Sequence, residues 1–148
     1  MKTILDKTTR DGLIDRIHTL TEDNHAQWGR MNVCQMIKHC IAWEEMAAAK
    51  QPYKQTLLGR LFGKIALRSM IGNENPIKQN MPTLPELKIP ESTGDLESEK
   101  RQWIALIEQH ALAPNPNFVH PFFGKMTVEE IGLLDYKHTD HHLRQFNR

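Results

Sequence analysis

Histidine is the residue type in this chain best suited to chemistry, and four of its eight histidines fall near the C-terminus, at positions 120, 138, 141 and 142. Among them Thr127 and Glu130 form a Thr-x-x-Glu capping box followed by an apolar-periodic run, so a helix is expected to begin there. On that helix His138 and His142 lie four residues apart, which places two imidazoles on one face, one turn above the other. A pair so spaced can share one metal ion. It can also be no more than a polar helix end rich in histidine. A third ring from elsewhere would favour the metal.

His39 is the candidate for that third ring. Asn32 can cap a helix, with Gln35 three residues on as its reciprocal partner. The helix is expected to run to about Ala49, with Val33, Met36, Ile37, Cys40, Trp43 and Ala47 as its apolar stripe. His39 falls at one edge of that stripe, beside Met36, Trp43 and Met46. A histidine there is commonly a satisfied residue of the core boundary, but its face leans inward and can meet another helix. Cys34 and Cys40, six residues apart, point away from each other on one helix and cannot bridge locally. They read as buried free thiols, with Cys40 beside His39 a minor candidate for a ligand or reactive group.

The elements that would position these residues are helical. A chain of 148 residues fits a single domain, here 1–148, and can bury a real core. Leu13, Ile14, Ile17 and Leu20 recur at helical spacing from about Thr9, with His18 on the solvent side. Residues 21–30 read as a loop that holds His25 and in which Trp28 packs back on the core. Pro52 separates the second helix from a third over Lys54–Ile71. There Leu58, Leu61, Phe62, Ile65 and Met70 make an apolar face, and Arg60, Lys64 and Arg68 a basic stripe. That pattern suits a bundle helix with a solvated charged face; lying on a membrane surface is the lesser reading, and no membrane partner is expected. Gly59 and Gly63 could permit close approach, and apolar faces such as Leu57 to Met70 could serve a homodimer. Pro76, Pro82, Pro85 and Pro90 rule out a long helix over about 72–94, leaving one long ordered loop or crossover. Asp95 to about His110 is the next helix, with Leu96, Trp103, Ile104 and Ile107 inside and Glu97, Glu99, Lys100 and Arg101 outside. Residues 111–125 are a second loop, and no strand pattern competes with the helices.

The net charge of +1 gives no field that points to nucleic acid, and there is neither a basic patch interleaved with aromatics nor a helix-turn-helix signal. No apolar run reaches membrane-spanning length, and Met1 to Lys7 lacks the apolar core of a signal peptide, so a cytoplasmic protein is expected.

Several of these residues recur together in a known family. A histidine midway along the second helix, a final helix reading His-x-x-x-His followed closely by Arg/Gln, Trp28-Gly29-Arg30-Met31, Gln35-Met36-x-x-His39-Cys40, and His120-Pro-Phe-Phe-Gly124 resemble the DinB-like (YfiT-like) superfamily of metal-dependent enzymes. Within it they look like one branch classed as a domain of unknown function. The resemblance covers nearly the whole chain. It implies an all-α fold, a four-helix bundle of up-down-down-up topology with the proline-containing loop carrying the chain across it. It also implies a divalent metal held by His39, His138 and His142. His141 could replace His142 on a rotated helix; His142 is preferred because the family's second ligand stands just ahead of the Arg/Gln pair, here Arg144 and Gln145 with Leu143 between.

Three neutral imidazoles would leave a coordination position open, as in a catalytic rather than a closed site. The metal could generate hydroxide from water, as in a hydrolase; the resemblance also implies that it could bind a thiolate, as in the superfamily's transferases that use a low-molecular-weight thiol, so one or the other, acting on a small-molecule substrate, is expected. Zinc or nickel are the first candidates, with iron and manganese also accepting imidazole. Asp135, Asp140, Gln145, Glu44 and Glu45 are candidates to orient the rings. His120 could line the pocket mouth, hydrogen-bond the last helix, or serve as a structural cap. The competing expectation is a non-catalytic binding or stress-response module in which metal only pins two helices.

Overall fold

The computed structural model describes residues 1–49 and 53–148. Among them are five α-helices: α1 (Lys7–His18), α2 (Val33–Ala48), α3 (Leu57–Ile71), α4 (Leu96–Leu112) and α5 (Val128–Gln145). Each begins at a side chain that accepts the N–H three residues on: Asp6, Asn32, Thr56, Asp95 and Thr127. These oxygens satisfy donors that have no partner inside the helix. The boxes Asn32/Gln35 and Thr127/Glu130 are both reciprocal, as their spacing predicts. Pro52, expected to end the second helical segment, lies outside the described residues.

α2 packs along α4, α1 against α5 and α4, and α3 against α5. The whole expected stripe of α2 is buried, including Cys40, and both cysteines are free. Two apolar clusters fill the interior. Met36, Ile37, Trp103 and Leu143 belong to one, and Trp43, Leu67, Phe118 and Leu134 to the other. His138 and His142 occupy the part of α5 between Leu134 and Leu143, so the core itself fixes the direction of their rings. No helix among the described residues is long and apolar enough to cross a membrane.

Three local expectations need correction. α3 does not bury the face expected of it: Leu58, Leu61, Phe62 and Ile65, with Leu57, are exposed, from 55 to 77%. It buries Gly59, Gly63, Leu67 and Ile71 instead. A Cβ on either glycine would collide with the Phe122 carbonyl, so only the small-residue face can lie this close to the 121–123 backbone. Lys100, expected outside, is buried. Its Nζ donates to the carbonyls of His18 (3.0 Å) and Leu20 (2.9 Å) and to Glu97 (2.8 Å), supplying donors to the otherwise unpaired end of α1. Finally, residues 111–125 contain a short antiparallel ribbon, β1 (Val119–His120) and β2 (Gly124–Lys125). Its three-residue loop closes at Gly124, whose φ of +77° is the left-handed conformation such a hairpin needs.

Candidate metal centre

His39 from α2 meets His138 and His142 from α5. The Nε2 atoms of His39 and His138 are 3.0 Å apart, and the ring of His142 lies 4.7 Å, centroid to centroid, from each of the other two. One ligand nitrogen from each ring lies within 4.8 Å of the others, a spacing that one ion can bridge.

Two of the three tautomers follow from their partners. The Nδ1 of His39 is 2.8 Å from the Leu87 carbonyl, which can only accept, so the proton is on Nδ1 and the Nε2 lone pair faces the cluster. Leu87 reaches this point because the long loop makes a 3-10 turn at Pro85–Leu87 and buries the Leu87 side chain, an anchor contributing about 2 kcal/mol. His142 is held by Gln145. The Gln145 Nε2 donates to the Trp28 carbonyl at 2.8 Å, which leaves its Oε1 to accept from His142 Nδ1 at 2.9 Å. The Gln27 N–H also donates to the Gln145 carbonyl, at 2.7 Å. Gly29 follows with φ +81°, and a Cβ there would stand 2.8 Å from Gln145 Nε2. The Trp28-Gly29 turn therefore sets the aim of His142 through one amide.

Burial keeps these rings neutral. His39 is pushed below the usual imidazole range by burial. His138 is held well below it by burial and by the neighbouring His142 and His39 rings. His142 falls to about 3, through burial and then His39. Neutral imidazoles with inward lone pairs suit a divalent cation, and the buried Nδ1 of His138 is left without a partner.

The cluster forms one wall of a cavity of about 440 Å³. Trp43, Met70, Leu84, Phe122, Phe123 and Leu134 supply much of its lining. Trp43 packs against His138 at 5.3 Å and His120 at 5.8 Å between ring centroids. His120 also lines it. Its Nδ1 accepts from the N–H groups of Phe122 and Phe123, both at 3.0 Å, and its ring stacks on Phe123 at 4.4 Å. Burial lowers His120 to about 4, so its remaining proton is on Nε2. His120 thus combines a cap on the ribbon loop with a place at the cavity, and it makes no hydrogen bond to α5.

The other expected residues divide. His141 borders the cavity and lies edge-on to His142 at 5.1 Å, outside the three-ring cluster. Asp140 faces the other way: it pairs with Arg16 at 2.7 Å and Arg144 at 2.6 Å, joining α1 to α5. Neither Asp140 nor Arg144 orients a cluster ring, while Gln145 does. Glu45 is exposed beside Gln102.

Glu44 and Asp135 meet a different histidine, His110, for which the sequence predicts only a place at the end of a helix. His110 Nδ1 on α4 lies 2.8 Å from Glu44 Oε2 and 2.8 Å from Asp135 Oδ2. The Trp43 indole N–H donates to Asp135 Oδ1 at 3.2 Å. In the protein alone, protons balance this group. Burial and then Asp135 raise the Glu44 carboxyl well above its usual range. Burial would lower His110, but Asp135 and Glu44, whose carboxylates accept from the ring and place negative charge beside it, outweigh burial and lift the ring to about 10. No local motif could have disclosed this group, since its members come from three helices.

The family model of the DinB superfamily matches residues 6–146. No curated protein and no solved structure matches the chain.

Proposed function

Because the chain belongs to the DinB superfamily, we propose that it is a divalent-metal-dependent enzyme acting on a small molecule, either a hydrolase or a transferase using a low-molecular-weight thiol. The observation that carries this reading is the convergence of three imidazoles, His39 and His142 buried and His138 partly buried, at the wall of an apolar cavity large enough for a ligand. His39, His138 and His142 would hold the ion, with zinc or nickel the first candidates on ligand chemistry. When bound, the ion would supply a Lewis acid that favours hydroxide or thiolate at neutral pH.

The chain's own residues do the rest. The Leu87 carbonyl and the Gln145 amide keep the His39 and His142 lone pairs directed inward. Trp43, Phe122 and Phe123 receive the apolar part of a substrate and displace water from around the centre. His120 holds its proton on Nε2 and serves as a hydrogen-bond donor to a substrate oxygen or nitrogen. The helices α1, α2, α4 and α5 are taken as the family's up-down-down-up bundle, with α3 added outside.

Protein made without a histidine tag should carry a divalent metal by elemental analysis, and added zinc or nickel should raise the melting temperature of stripped protein. Absence of both effects would overturn the metal reading. Cobalt-substituted protein then separates enzyme from pinned module. A thiol such as cysteine should change its visible spectrum by entering a free coordination position. A spectrum indifferent to thiols and to small anions would favour the non-catalytic module.

A further inference from the structure

The Glu44–His110–Asp135 group lies outside the cavity and takes no part in the proposed chemistry. Its side chains are almost wholly removed from solvent, with exposures of 1% for Glu44, 4% for His110 and 0% for Asp135. Two carboxylate oxygens stand 2.8 Å from the same Nδ1. That nitrogen can carry only one hydrogen, which lies in hydrogen-bonding geometry to Glu44 Oε2 and faces Asp135 Oδ2 only as an ionic contact. Asp135 Oδ2 and Glu44 Oε1 are left buried without partners. Thr139 Oγ1, one turn along α5 from Asp135, is also buried and unpartnered. Buried polar atoms left unpaired at this density call for something between them.

We propose that Glu44, His110 and Asp135 form a second site for a divalent cation, joining α2, α4 and α5 independently of the three-histidine centre. The spacing fits. In octahedral coordination with bonds of about 2.1 Å, neighbouring ligand atoms stand about 3.0 Å apart, whereas a tetrahedral ion with bonds of about 2.0 Å spreads them to about 3.3 Å. The observed separations of 2.8 Å lie nearer the octahedral edge. One cation takes Glu44 Oε2, Asp135 Oδ2 and His110 Nδ1 together. Its two charges replace the two protons needed to make the group neutral. The Trp43 N–H already occupies Asp135 Oδ1 and leaves Oδ2 to the ion, the usual arrangement for a ligating carboxylate. Two carboxylates with one imidazole accept manganese(II), iron(II) and zinc, and manganese(II) serves as the probe. With α2, α4 and α5 around it, the site is structural.

The test uses the full chain without a tag, stripped by chelator and loaded with manganese(II). His142→Ala disables the cavity centre, so it isolates the second site from the proposed function. This variant should retain one equivalent of manganese after desalting and melt higher with it. Adding Asp135→Asn, or separately Glu44→Gln, should abolish both effects. A His142→Ala protein that keeps no manganese, or one whose manganese survives Asp135→Asn, overturns the proposal. If the double variants do not fold, crystals of the unaltered chain grown with manganese decide. An anomalous peak among the three side chains is expected, and its absence refutes the site.

Discussion

His120 should make the protein acid-sensitive in a calculable way. Its ring is 5% exposed, and its Nδ1 accepts two backbone N–H groups, so the folded chain holds it neutral. Burial sets the folded value at about 4, against about 6.5 in the unfolded chain. A lowered folded value gives stability that is complete above about pH 6.5 and disappears as the pH falls toward 4. Moving from pH 7 to pH 5 should therefore cost about 2 kcal/mol at this residue, and the full span about 3.4 kcal/mol. His120→Asn is the control: its Oδ1 can stand where Nδ1 stands and accept the same N–H groups, but it does not titrate. Urea unfolding of metal-stripped protein should be followed for both forms at pH 7 and pH 5. The advantage of the parent chain over His120→Asn should shrink by about 2 kcal/mol, roughly 1 M in urea midpoint. Every residue but 120 is common to both proteins, so their contributions largely cancel in the difference; His120 is the least of the groups acting on His138. Parallel pH dependence in the two would refute the claim that His120 is a buried neutral acceptor.

Gly63→Ala forces a methyl against the Phe122 carbonyl and should lower stability by about 1–3 kcal/mol, read as a fall in melting temperature. Leu61→Ser and Phe62→Ser, on the exposed side of α3, should each change folding stability by no more than about 0.5 kcal/mol in urea melts; losses typical of core truncation would contradict the observed orientation of the helix. Gln145→Ala leaves the His142 Nδ1–H buried without its acceptor and frees the Trp28 turn. Its affinity for zinc, measured by competition with a chromophoric chelator, should fall about 10- to 100-fold. Unchanged affinity would show that the amide does not aim the ring.

Local chemistry was readable from the chain alone wherever the interacting groups are neighbours in sequence. The reciprocal caps Asn32/Gln35 and Thr127/Glu130 depend on atoms three residues apart, and the helix starts followed from them. The stripe from Val33 to Ala47 and the shared face of His138 and His142 depend only on the helical repeat. Orientation was a different matter. The outward side of α3 carries the larger side chains, yet two glycines face inward, because a backbone segment some sixty residues away needs the space of their missing Cβ atoms. Lys100 looked solvated until the frayed carbonyls of α1 came to lie beside it.

The residues of both candidate sites were therefore present in the linear text, but their grouping was not. Periodicity places His138, His141 and His142 on neighbouring turns, and it is the tertiary packing of the helices that leaves His141 at the rim and brings His142 to His39. The same packing joins Glu44, His110 and Asp135, which no spacing connects. Helical periodicity constrains an angle around one axis. Which of those angles faces a ligand is set by contacts between segments distant along the chain, and these exist only once the helices have closed on one another.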